Sequence, residues 1–383
     1  MKVALVHDYL TQQGGAERVF ELLCQFFDRA DVYSSVYDRH HTVKLKHPVK
    51  TTFLQRIPGA KRNFRLFAPL YYPAFRQLDL QDYDLIVSST SSFAKGVKKR
   101  PGAMHICFCH NVTRFLWDTK TYLEEYSSFR KMSPSLEPIL RLMREQDLKY
   151  AKEPDLYIAN SSTVAKRIER IYRRKALVIN YPIDTDKFIF SAEKEDYYLI
   201  SSRIISYKRL DVAVEAFNWL GLPLIITGDG PERKRLEAKS LDNIKFLGYV
   251  DDRWRTHLMA KAKAVVVTAL EDYGLVPIEA NVSGTPVIAY GAGGVLDTQV
   301  SGKTGVLFNP QSPDALQTAI EQVENQSWDY GAIREHAIAN FSESVFFQQV
   351  AAVIQEFCGQ SILHDLKIES KWLSDRVGIG VEQ

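Results

Sequence analysis

The sequence predicts an α/β protein of two doubly wound domains that face each other across a cleft. Three observations carry that prediction. The chain has 383 residues, too many for one ordinary core and in the range of two domains. Short apolar runs alternate with longer amphipathic stretches, which is the rhythm of βα units around a parallel sheet. That rhythm breaks at Tyr181–Ser191, where Pro182 and the polar segment Asp184-Thr185-Asp186 interrupt it.

In the first half, strands are predicted at Val3–Val6, Asp31–Val36, Leu85–Ser88, Met104–Cys109, Leu156–Ala159 and Ala176–Ile179. Helices fall between them, notably at Gly15–Phe27 and around Ser135–Lys152. In the second half the strands are Tyr197–Ser201, Leu224–Thr227, Ile244–Leu247, Ala264–Thr268, Pro286–Ala289 and Gly305–Phe308. The domains are therefore expected at 1–185 and 186–343, with a tail at 359–383. A last helix around 344–358 carries Val345, Phe346, Val350, Val353 and Phe357 at helical spacing, and that apolar face is expected to lean back onto the first domain.

Composition excludes several classes. Hydrophobic residues at 45% and charged residues at 25% describe a globular chain rather than a disordered one. A net charge of +3 gives no general argument for nucleic acid. Cys24, Cys107, Cys109 and Cys358 are too scattered for a disulfide framework, and Cys107 with Cys109 reads as one buried strand face rather than half a zinc site. The N-terminus reads as a buried strand, not a signal peptide, and no run approaches the roughly 18 apolar residues of a membrane span. A cytoplasmic chain is expected, at most attached to the inner face of a membrane.

The densest chemical signal is Glu271-Asp-Tyr273-Gly274-Leu275-Val-Pro277-Ile-Glu279-Ala280, between a strand and a helix. Helix-start amides there can hold an anion, and two carboxylates on one rim suit the vicinal hydroxyls of a sugar and a ribose. Arg203 and Lys208 follow another strand and bracket a ligand from a loop; a planar guanidinium and a compact ammonium both suit phosphate oxygens. Gly14-Gly15 opens the first helix, where backbone can come close to a diphosphate. His110 ends a strand, which is where parallel sheets place ligands.

In this order the motifs resemble family 4 of the retaining glycosyltransferases (the group 1 glycosyltransferases), which have the GT-B fold of two Rossmann-like domains. The resemblance rests on Glu271-x7-Glu279, Arg203-x4-Lys208, Gly14-Gly15-Ala16-Glu17-Arg18, Gly228-Asp-Gly230-Pro231, Phe246-Leu-Gly-Tyr249-Val250, Gly293-Gly294-Val295 and Gly302-Lys-Thr-Gly305. It runs from residue 1 to about 358. It implies that Arg203 and Lys208 stabilise the leaving diphosphate. Glu271 would face the donor sugar and Glu279 the ribose, with Tyr273, Gly274 and Leu275 also binding the donor. Gly228, Tyr249 and Val250 would lie at the nucleobase. His110 would hold the sugar's 6-hydroxyl or a backbone carbonyl. One departure is that Gly293-Gly294-Val295 leads to Leu296-Asp297, where similar proteins have a proline and a glutamate.

The reaction so implied is transfer of a hexose from a nucleotide sugar, UDP-glucose first and GDP-mannose second, with retained configuration. The acceptor would be a lipid-linked or oligosaccharide unit of an exopolysaccharide or envelope glycan. The rivals are a nucleotide-sugar 2-epimerase on the same architecture and a sugar-nucleotide-binding protein without turnover. No metal cofactor is expected. Asp82-Tyr-Asp84 precedes a strand, at its amino end, and Asp184-Thr-Asp186 lies in the interdomain segment, so neither reaches the ligand edge. Finally, Arg39 through Leu78 contains no acidic residue but many basic ones, interleaved with Phe53, Phe64, Phe67, Tyr71, Tyr72 and Phe75. That stretch is expected to suit an anionic membrane surface, with RNA stacking, or a solvated face with an ordinary buried aromatic side, as the alternatives.

Overall fold

The computed structural model describes residues 1–118 and 133–359. The expected C-terminal tail lies outside the described residues, apart from Gly359. The chain forms two compact units, Met1–Tyr181 with the C-terminal segment from Ser344, and Pro182–Glu343.

The first unit is a parallel sheet of β1 (Val3–His7), β2 (Asp31–Ser34), β3 (Val49–Thr51), β4 (Leu85–Thr90), β5 (Met104–Cys109), β6 (Leu156–Ala159) and β7 (Ala176–Val178), in spatial order β3-β2-β1-β4-β5-β6-β7. β1, β4 and β5 are almost wholly buried because helices cover both faces, so they read as continuous apolar runs rather than alternating ones. β3 is absent from the sequence reading. It is three residues long and half exposed at the sheet edge, and Val49-Lys-Thr51 has no apolar run to announce it.

The second unit repeats the plan with β8 (Tyr198–Ser201), β9 (Leu224–Thr227), β10 (Ile244–Gly248), β11 (Ala264–Val267), β12 (Val287–Tyr290) and β13 (Gly305–Phe308), all parallel, in order β10-β9-β8-β11-β12-β13. In each unit the first strand has neighbours reached by crossovers running in opposite directions. The topological switch point thus falls between β1 and β4 in the first unit and between β8 and β11 in the second. Open α/β sheets bind ligands outside the carboxyl ends of strands at such points.

The last helix, Glu343–Cys358, buries Phe346, Phe347, Val350, Ala351 and Ile354. Phe347 stacks on Phe26 at 6.0 Å and Phe346 meets Phe108 at 6.4 Å, so its apolar face completes the core of the first unit. The helix Ser133–Tyr150 is tied to that core by a buried ion pair, Lys95 Nζ to Asp147 Oδ1 at 2.7 Å. Tyr72, Thr113 and Trp117 donate to the same carboxylate at 2.5, 2.7 and 2.6 Å. Burial would raise the Asp147 carboxyl, but Lys95 and these donors hold it below the usual range. Among the described residues no helix is long and apolar enough to cross a membrane.

Candidate functional site

The second unit gathers the motif residues around its switch point. A cavity of about 190 Å³ is lined by Ser202, Arg203 and Lys208 after β8, and by Thr268, Glu271 and Val276 after β11. Lys208 Nζ donates to Glu271 Oε1 at 2.5 Å. Burial alone would lower the Lys208 ammonium, but the charge of Glu271, helped by Tyr207, holds it above its ordinary value. Thr268 Oγ1 donates to the carbonyl of Lys208 at 2.7 Å, which ties the two loops together. Arg203 is exposed on the same rim, its guanidinium 3.5 Å from the Tyr207 hydroxyl.

Glycines make this knot possible. Gly228 sits at φ +109, and a Cβ there would lie 2.0 Å from the carbonyl of Ser202, so the Gly228–Pro231 turn can press on the Arg203 loop only without a side chain. The Gly293-Gly294 pair, whose contact the sequence leaves open, packs on the Glu271 loop: Gly294 N donates to Glu271 O at 2.8 Å, and Glu271 pairs with Gly293 as a β-bridge. A Cβ on Gly293 would meet that same oxygen at 2.2 Å. These glycines approach protein backbone and hold Glu271 in place.

Glu279 lies within the helix Leu275–Val282, which opens at Gly274, φ +93. Its carboxylate is buried, and Oε2 accepts from Arg255 Nη1 at 2.6 Å. Arg255 is a partner that sequence reasoning misses, since nothing in the polar helix Asp252–Lys261 distinguishes it. Tyr273 is buried and Leu275 half-buried, whereas Tyr249 is 85% exposed with Val250 half-buried beside it.

In the first unit, Gly14 is the residue before the helix Gly15–Phe26, in extended conformation and with no side chain capping the helix start. His110 follows β5 directly and is buried; its Nε2 lies 2.7 Å from Ser89 Oγ. Burial and the neighbouring His7 push the His110 imidazole down to about 3, with Glu17 acting the other way. The structure thus brings Arg203, Lys208, Glu271 and the Gly228 turn together in one unit, and the Gly14 turn, His110 and Glu17 in the other.

The two Asp-x-Asp segments are engaged elsewhere. Asp84 precedes β4 and accepts from Lys2 N at 2.8 Å and from Arg100 at 2.5 Å. Asp184 precedes the turn Thr185–Lys187 and pairs with Lys187 at 2.9 Å. In the basic stretch the aromatics follow the alternative of a solvated face with a buried aromatic side. Phe64, Tyr71, Tyr72 and Phe75 are core residues; Phe64 opens the 3-10 turn Phe64–Leu70, and the helix Tyr71–Arg76 turns the other three inward. What the stretch exposes is Arg39, Lys44, Lys46, Lys50, Arg56, Lys61 and Arg62, with Phe53, Leu66 and Leu70 among them.

Each of the two units thus has buried carboxylates and glycine turns at its own switch point, and together they define a protein of two Rossmann-like α/β units. Comparison with known proteins gives the family. Residues 13–187 match the model of glycosyltransferase family 4 and residues 183–341 that of the group 1 glycosyl transferases, so that together they span 13–341. The chain belongs to this glycosyltransferase family, and its fold is the GT-B type of two Rossmann-like domains. The D-rhamnosyltransferase WbpZ of Pseudomonas aeruginosa is 27% identical over 202 residues, 48% of this chain and 53% of that protein. The D-inositol 3-phosphate glycosyltransferase of Corynebacterium glutamicum is 36% identical over 104 residues, 25% of each chain. These matches span about half or less of the relatives' own length. Among solved structures, HepE of Anabaena in complex with UDP superposes with a TM-score of 0.66 at 20% identity, covering 93% of this chain and 100% of that one.

Proposed function

We propose that this chain transfers a hexose from a nucleotide sugar to a sugar hydroxyl with retention of configuration. The observation that carries the reading is the Lys208–Glu271 pair in the switch-point cavity of the second unit, with Arg203 on its rim. An ammonium kept charged there suits the developing charge of a departing diphosphate, and Glu271 suits the hydroxyls of the sugar attached to it. Few groups among the described residues of this cavity could serve as a covalent nucleophile. The reading therefore assigns the acceptor's proton to a leaving diphosphate oxygen, and catalysis to positioning and charge stabilisation. His110 is assigned to the donor sugar, Glu279 to the ribose, and Gly14-Gly15 to the diphosphate. Arg203 and Lys208 supply the positive charge, so no metal is required in this scheme.

UDP-glucose is the favoured donor and GDP-mannose the second. The names of the curated relatives differ in sugar and acceptor, while a neighbouring HepE structure holds UDP-glucose. A lipid-linked glycan acceptor at an anionic membrane surface agrees with the exposed bases of 39–62 and with Phe53, Leu66 and Leu70 beside them. A thermal-shift panel tests the donor. The tightest nucleotide sugar raises the unfolding temperature most, by about 2.7 kcal/mol of added stability at a hundred times its Kd. A panel in which no nucleotide or nucleotide sugar shifts the transition would reject the reading.

A further inference from the structure

Behind His110 lies a row of buried polar groups with no place in the scheme above. It crosses three adjacent strands at the switch point of the first unit. His7 ends β1, Ser89 lies opposite it on β4, and His110 follows β5. Ser89 Oγ is 3.0 Å from His7 Nδ1 and 2.7 Å from His110 Nε2. On its far side, His7 Nε2 lies 3.8 Å from Glu17 Oε1, in the first turn of the helix Gly15–Phe26. Gln12 Nε2 donates to the same Glu17 oxygen at 3.0 Å, and the His7 ring lies 4.7 Å from that of Phe20. Glu17, His7 and Ser89 are all 2% exposed or less.

The donor and acceptor inventory lets the row run in one direction. At 3.8 Å the Glu17 carboxylate attracts a proton and repels a lone pair, so it favours the His7 tautomer that carries its proton on the facing nitrogen, Nε2. In a neutral imidazole Nδ1 is then bare, and the Ser89 hydroxyl donates to it. Ser89 has one proton, now used, so its oxygen can only accept from His110 Nε2–H. His110 is left with a bare Nδ1, which is buried and has no hydrogen-bond partner in the structure. Turning the row round would put a ring lone pair against the Glu17 carboxylate and a buried, unsatisfied N–H on His110. The second fault is the costlier kind of orphan.

We propose that Glu17, His7 and Ser89 are positioning residues that fix His110 in its Nε2-protonated tautomer, so that it meets the donor sugar as a hydrogen-bond acceptor. This rests on the assignment of His110 to the donor sugar. A bare ring nitrogen selects a partner that donates, as a sugar hydroxyl does and a phosphate oxygen does not. The row also ties that choice to the glycine turn, because Glu17 Oε2 would lie 2.7 Å from a Cβ at Gly14. A side chain there would push against the carboxylate that orients the row.

The experiment is ¹⁵N NMR of the full chain labelled at histidine, on the unmodified protein, Ser89→Ala and Ser89→Thr, with donor kinetics on each. The unmodified protein shows His110 protonated at Nε2 and bare at Nδ1. In Ser89→Ala the His110 resonances move toward the average of the two tautomers. KM for the nucleotide sugar rises about tenfold, the worth of one hydrogen bond, while affinity for free nucleoside diphosphate stays unchanged. Ser89→Thr keeps the hydroxyl and restores both. A proton on Nδ1 of His110 in the unmodified protein, or His110 resonances that ignore Ser89→Ala, would overturn the relay. Failure of the sugar-transfer reading looks different: the unmodified protein then either binds no nucleotide sugar or binds it without passing the sugar to an acceptor, whatever the tautomer of His110.

Discussion

Glu271 and Glu279 differ in what already holds them, and that difference can be measured. Glu271 is paired with Lys208 at the cavity, whereas Glu279 is buried against Arg255 inside a helix. Glu279→Ala is expected to weaken binding of free nucleoside diphosphate and of nucleotide sugar alike, by roughly tenfold or more, since its proposed partner is the ribose. Glu271→Ala is expected to spare free nucleotide and to weaken only the intact sugar donor. Calorimetric titration of both ligands into both variants decides it. Equal losses for both ligands in both variants would remove the distinction. At this scale the sequence shows the motif residues themselves but not their partners. Arg255 reaches Glu279 from 24 residues away, and Ser89 reaches His7 from 82. Such contacts exist only once strands are ordered in a sheet, and no local pattern announces them.

Among the elements, the buried apolar strands were legible because parallel strands covered on both faces leave continuous hydrophobic runs. β5, β6, β9 and β13 lie where those runs predict. Edge strand β3 was not legible, and the core role of Tyr71 and Tyr72 was only one of the alternatives. A three-residue strand has no period, and aromatics amid bases suit a membrane surface or a buried side until a helix turns them inward. The helix Ser133–Tyr150 makes the clearest stability prediction. Asp147 is fully buried and anchors Lys95, Tyr72, Thr113 and Trp117 to that helix. Asp147→Ala leaves a buried ammonium without its counter-charge, which costs about 3–5 kcal/mol. Denaturant unfolding is expected to show a loss of that size. A change under about 1 kcal/mol would mean that the pair contributes little to holding the helix.

For the molecule as a whole, the exposed bases Lys61 and Arg62, next to Leu66 and Leu70, predict salt-sensitive flotation with anionic liposomes. Each surface-near base contributes roughly 1 kcal/mol, so reversing Lys61, Arg62 and Arg65 together should abolish it at moderate salt. Flotation unaffected by the reversal would return the segment to an ordinary solvated face. The central claim is that this glycosyltransferase moves a hexose with retention and takes its positive charge from Arg203 and Lys208. The most direct test is NMR of UDP-glucose turnover in excess EDTA, with a lipid-linked saccharide as acceptor. The account predicts release of UDP and a product whose anomeric carbon keeps the donor's configuration. The initial rate should stay within about twofold of that with magnesium, a barrier difference under ~0.5 kcal/mol. An inverted product, a 2-epimer of the donor sugar, or activity that returns only with a metal would contradict it.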